Sequence, residues 1–151
     1  MTAVTNTEQT RRTPRFGRAR TRALVVAGAV LATVTVWAIG DPLLGHDLVV
    51  VSPGQPAMDL GLPEITFLAL ASSLLGWAAL AILERVTAHA TLIWTITAAV
   101  ILAASFLPLA GVESSGGSKV VLALTHIAVA AVLIPGLRRT GPRRTPVPSA
   151  G

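Results

Sequence analysis

Apolar positions along this chain fall into four unbroken runs. "ALVVAGAVLATVTVWAIG" covers 23–40, "ITFLALASSLLGWAALAIL" 65–83, "LIWTITAAVILAASFLPL" 92–109 and "VVLALTHIAVAAVLIPGL" 120–137. Each has 18 or 19 residues and contains no Asp, Glu, Lys or Arg. A helix of that length is about 27 Å long, close to the roughly 30 Å hydrocarbon core of a bilayer. A single such run fits a buried core helix, but four in 151 residues leave too little polar chain to bury them. The pattern predicts an all-α membrane protein: a four-transmembrane-helix bundle with a short strand-containing outer loop between the first two helices.

Polar punctuation supports the borders. Asp41-Pro42 ends the first span. Pro63-Glu64 opens the second, where proline's missing N–H costs nothing and a carboxylate suits the positive end of the helix dipole. Gly111 follows the third span and Arg138-Arg139 stop the fourth. Pro108 and Pro135 lie within a turn of helix ends, which predicts local distortion and no mid-membrane kink.

Charge then gives the orientation. Arg11, Arg12, Arg15, Arg18, Arg20 and Arg22 precede the first span, Arg85 lies between the second and third, and Arg138, Arg139, Arg143 and Arg144 follow the fourth. All fall on one side of a four-span topology, leaving Lys119 with Asp41, Asp47, Asp59, Glu64 and Glu113 on the other. The positive-inside rule makes both termini cytoplasmic, in a multi-pass protein of the cell membrane. A cleavable signal peptide ending at Gly40 fits less well: its apolar stretch exceeds the usual h-region and Pro42 follows the cut closely. "RRTPRF" matches a twin-arginine signal only loosely.

Composition narrows the classes. Hydrophobic residues make up 52% and charged residues 13%, about half the charged share of a soluble domain. The net charge of +5 sits in the tails beside apolar runs, with no folded basic face or interleaved aromatics, which argues against a nucleic-acid partner. The chain has no cysteine, which excludes thiolate metal sites and disulfides of its own. Residues 1–22 and 140–151 read as disordered cytoplasmic tails flanking a 23–139 transmembrane domain.

The 41–63 loop carries the β-branched run Leu48 to Val51 and the turn signal Ser52-Pro53-Gly54. So apolar a loop is expected to fold over the helix ends as a cap with one or two strands, with packing favoured over a ligand surface. Within the spans, small residues mark faces that approach closely: Gly28, Ala32 and Thr35 on the first helix, and Ala69, Ser72, Ser73, Gly76 and Ala79 on the second. Packing inside one bundle is the favoured reading; a homo-oligomer face or a membrane-protein partner is the alternative. Trp37 and Trp94 stand near span ends as interface anchors, and Trp77 is expected between helices.

One ionisable group lies inside a span. His126 is seven residues past Lys119, about 10 Å into the membrane, and shares a helix face with Ala123 and Ala130, so its ring is expected to point into the bundle. Ser72, Ser73, Thr33 or Thr35 are available to hydrogen-bond it. A structural imidazole is favoured over a ligand, proton or cofactor role, although in-membrane titratable groups are candidates by default. The sharper chemistries lack partners. The span cores hold no carboxylate for proton coupling, no second in-membrane histidine for haem, and no nucleophile turn around Ser72 or Ser73 for hydrolysis. The outer carboxylates match no calcium loop, and Glu84-Arg85 reads as an exposed charge pair at the membrane boundary. No catalytic, cofactor-binding or metal-binding residue is expected; His126, Ser72 and Ser73 are the candidate functional polar groups.

Three stretches, "RALVVAGAVLATVTVWAIGDPLLG", "GWAALAILER" and "HIAVAAVLIPGLRR", resemble a family of small bacterial four-span membrane proteins catalogued only as a domain of unknown function. The similarity spans about 22–139. It rests on the Asp41-Pro42 ending of the first helix, the Glu84-Arg85 pair, and His126 followed by Pro135-Gly136-Leu137. The resemblance implies an integral membrane protein of this topology and supplies no catalytic residue. The order of elements is also that of claudin-like proteins, an analogy of architecture without matching loop motifs. The expected function is a noncatalytic accessory or interaction module; the alternative is a small transporter or channel-like oligomer with a polar path near His126.

Overall fold

The structure, a computed structural model, describes residues 15–141 apart from 47, 52, 53, 55 and 112. Four helices account for most of them: α1 (Arg15–Ala38), α2 (Leu62–Val86), α3 (Ala90–Gly111) and α4 (Gly116–Arg139). Each has 22 to 25 residues and is therefore about 33–38 Å long. All four are long and apolar enough to cross a membrane. They form a ring in which α1 touches α2 and α4, and α3 touches the same two. The α2–α4 diagonal also closes, whereas α1 and α3 stand at opposite corners.

The helix ends follow from local chemistry. Gly61 is the N-cap of α2, with Pro63 and Glu64 in its first turn as expected. Ser115 caps α4 by accepting the Ser118 N–H at 3.0 Å. α1 passes into a π-helical turn, Ile39–Leu43, which contains Pro42 and is closed by Gly45 at φ 69°. Proline cannot continue the i→i−4 ladder, and glycine takes the left-handed backbone that reverses the chain. At the other end, α1 begins at Arg15. The stretch 15–22, expected in the disordered tail, is helical. Arginine is a strong helix former and the apolar span supplies the nucleus, so the helix propagates outward despite its polar composition. Thr140, also assigned to a tail, is buried at the end of α4. The rest of both expected tails lies outside the described residues.

The loop between α1 and α2 is the small cap that was expected. β1 (Val49–Val50) pairs antiparallel with β2 (Met58–Asp59), Val49 opposite Asp59. Val51 makes a further bridge to Glu113 in the α3–α4 connection. The cap is held from below. Asp41 accepts the Leu48 N–H at 3.1 Å, and the Trp37 indole donates to the Leu60 carbonyl at 3.1 Å. Leu48 is fully buried against Ile65, Val121 and Leu122. A second cluster (Val26, Ala29, Leu80, Trp94, Leu133 and Leu137) fills the bundle toward the end that carries both termini. Elsewhere large apolar side chains point outward, Leu75 at 71% and Ile101 at 62% exposure among them, as a lipid-facing surface requires.

Two of the tryptophans behave differently from interface anchors. Trp94 is buried, and its indole N–H donates to the Gly76 carbonyl at 2.8 Å. Its position near a span end mimics the aromatic belt, yet the nearby Gly76 backbone offers a buried donor an acceptor. Trp37 ties the cap, as above. Trp77 packs against the inner core, as expected.

Candidate functional site

His126 occupies the middle of α4, on the flank of that helix's buried stripe. The buried positions on either side of it are Leu122, Thr125 and Leu133. The ring is partly buried at the seam with α3, its centroid 6.2 Å from that of Phe106 and tilted by 45°. Nδ1 stands 2.7 Å from the Leu122 carbonyl of its own helix. A carbonyl only accepts, so Nδ1 carries the hydrogen in this bond. The same carbonyl also accepts the Thr125 hydroxyl at 2.7 Å. It is Thr125 that faces the interior, and the expected inward aim of His126 is corrected to a seam position.

The structure does not bring the candidate polar groups together. Ser72 is exposed on α2 and donates to the Ala69 carbonyl at 3.1 Å. Thr33 and Thr35 donate to Ala29 and Leu31, four residues back on their own helix. Ser73 is fully buried and its hydroxyl has no hydrogen-bond partner among the described residues. Ser72 already uses the Ala69 carbonyl that lies one turn before Ser73. No hydrogen bond joins either serine to His126. Of the small-residue positions, a Cβ built on Gly28 would meet Val132 at an ordinary 3.5 Å and one on Gly76 would meet Leu133 at a tight 3.1 Å, while Thr35 is exposed and not on the packed face of α1. Ala32 is half-buried on α1. On α2 the inward stripe is Ala69, Ser73, Gly76 and Leu80, with Ser72 and Ala79 turned outward.

The most developed polar arrangement lies elsewhere. Arg22 on α1 is 4% exposed, and its Nη2 donates to Glu84 Oε1 on α2 at 2.5 Å. Its Nε donates to the Thr140 hydroxyl at 2.9 Å, and that hydroxyl donates to the Leu137 carbonyl at 2.7 Å. One guanidinium thus ties three helix ends together. The expected Glu84-Arg85 pair is corrected accordingly: Arg85 is exposed, and Glu84 turns inward to Arg22. In the sequence alone Arg22 is one topology determinant among several. Its signal is the position immediately ahead of an apolar run, opposite the lone acidic residue at the terminal end of α2.

Among the described residues, a hollow lies toward each end of the bundle. One of about 410 Å³ lies beneath the cap, lined by Val36, Gly40, His46, Gly117, Val121 and Leu124. It is nearly all apolar, and the His46 ring covers Gly117 so closely that a Cβ there would sit 2.5 Å from Nδ1. The other, about 800 Å³, opens at the terminal end and is lined by Glu84, His89, Thr91, Arg138, Arg139 and Gly141, among others. Among the described residues no three of His, Asp and Glu are grouped to hold a metal ion.

Over residues 13–143 the chain matches the sequence model of a family described as "Family of unknown function (DUF6069)". No curated protein and no solved structure matches it.

Proposed function

Since this chain belongs to that family of unknown function, which lends it no activity, we propose from the geometry that it is a noncatalytic accessory or interaction module of the cell membrane. In this reading the chain spans the bilayer with both termini cytoplasmic. The observation that carries it is the filling of the bundle axis. Apolar side chains from α1, α2, α3 and α4 meet there, and the Arg22–Glu84–Thr140 clamp closes the terminal end. His126 is engaged with its own backbone at the α3–α4 seam. Such an interior offers a solute no continuous polar lining. The arginines gathered at the terminal end favour placing that end in the cytoplasm.

One observation favours the alternative, a small transporter or channel-like oligomer: the buried, unpartnered hydroxyl of Ser73 on the inward stripe of α2. Cysteine labelling separates the two readings, and the cysteine-free chain makes it free of background. In intact vesicles, Ser73→Cys and Ala130→Cys are expected to resist a membrane-impermeant maleimide until the protein is denatured. Reaction at either position in the native protein overturns the sealed bundle and favours a water-filled path.

A further inference from the structure

We propose that the hollow at the terminal end is a binding site for the phosphate headgroup of an anionic phospholipid, with one acyl chain lying along α3. The site is separate from His126 and does not depend on the accessory-module reading.

Its charge is the first argument. Arg138 and Arg139, from the last turn of α4, and His89, from the α2–α3 connection, line the cavity. The single carboxylate on the wall, Glu84, is already neutralised by Arg22. Among the described residues neither Arg138 nor Arg139 has a carboxylate partner, so the wall keeps an uncompensated positive charge. Ala90, Thr91 and Leu92, the first turn of α3, line the same space and bring the positive end of that helix's dipole to it.

Its shape is the second. The chain leaving α4 crosses over the start of α3: a Cβ built on Gly141 would stand 2.7 Å from the Thr91 hydroxyl. This close crossing fixes the arginines beside the α3 entry. A volume of about 800 Å³ is ample for a glycerophosphate headgroup.

The third argument selects a lipid over a free anion. Leu92 lies on the cavity wall, and Leu92, Ile96 and Val100 follow at four-residue intervals down α3, exposed to 60, 57 and 61%. They form an apolar track of about 12 Å that leaves the cavity toward the middle of the membrane. A free phosphate has no use for that track, whereas an acyl chain attached to a headgroup in the cavity would lie on it. Basic pockets between helices at the membrane boundary recognise lipids in this way.

Native mass spectrometry of the full chain from mild detergent, titrated with dioleoylphosphatidylglycerol or dioleoylphosphatidylcholine, tests the site. The wild type is expected to retain phosphatidylglycerol in preference to phosphatidylcholine. Arg138→Gln with Arg139→Gln should weaken that retention roughly 30-fold. Arg18→Gln with Arg20→Gln removes the same charge from exposed positions of α1 outside the cavity and should leave retention unchanged. His89→Glu, on the exposed connection, gives the same loss without touching α4, should the double variant fail to fold. The proposal is overturned by equal retention of both lipids, by equal loss in the α1 variant, or by inorganic phosphate displacing the lipid at matched concentration.

Discussion

A guanidinium held almost out of contact with solvent at the edge of a membrane bundle has few ways to be stable. Arg22 meets the requirement by giving Nη2 to a carboxylate and Nε to a hydroxyl, each from a different helix. Removing one partner of such a pair leaves an uncompensated charge, at a cost of about 3–5 kcal/mol, whereas replacing both with apolar groups of similar volume is far milder. Thermal unfolding in detergent should therefore show Arg22→Met and Glu84→Met each strongly destabilised, and the Arg22→Met, Glu84→Met double variant recovering most of the loss. Additive losses in the double variant would refute a coupled pair. His126 makes the opposite case. Its one hydrogen bond runs to its own helix and its ring is only partly buried, so His126→Leu should leave the detergent size-exclusion profile unchanged. A shift to aggregate would make the imidazole an assembly hub. The presence of both residues was readable from the chain, but their partners were not. A basic residue at a span border looks the same in sequence whether it faces headgroups or a carboxylate 62 positions away, and only the rotation of each helix decides.

At the level of helices, small-residue spacing identifies one tight approach, Gly76 against Leu133, and misses a tighter one at Gly136. Gly28, singled out by its small-residue spacing, has ordinary room: an added Cβ would stand 3.5 Å from Val132. Gly136, read only as part of a terminal motif, lets α1 come against α4, and an added Cβ would be 2.5 Å from Val25 Cγ1. Valine is stiff at χ1, so it has little freedom to move aside. Gly136→Leu should lower stability by about 1–3 kcal/mol, while Gly28→Ala should be neutral or slightly stabilising, because alanine is the better helix former. Comparing their unfolding midpoints in one detergent checks both; equal effects would contradict the packing described. The existence of the helices and of the strand-bearing cap was legible, because unbroken apolar runs and a β-branched stretch before Ser-Pro-Gly are local signals. Which glycine meets which neighbour depends on the register between helices, and no local pattern records that.

For the molecule as a whole, four helices long and apolar enough to cross a membrane put both helix-bearing ends on one face, and the proposed orientation makes that face cytoplasmic. Alkaline phosphatase fused to either end should be inactive, and fluorescent protein fused to either end should fold and fluoresce. Phosphatase activity at either end would invert or break the topology. The bilayer setting was the most legible property of all, since composition alone demands it.

The three-helix clamp also constrains how the protein can be made. Arg22 emerges from the ribosome 62 residues before Glu84 and 118 residues before Thr140. Glu84 becomes available with the second span, whereas the Thr140 hydroxyl becomes available only after the fourth. A chain cut short between Glu84 and Thr140 keeps the ion pair and lacks only the hydroxyl, so the clamp closes in two steps, in the order in which its helices are made.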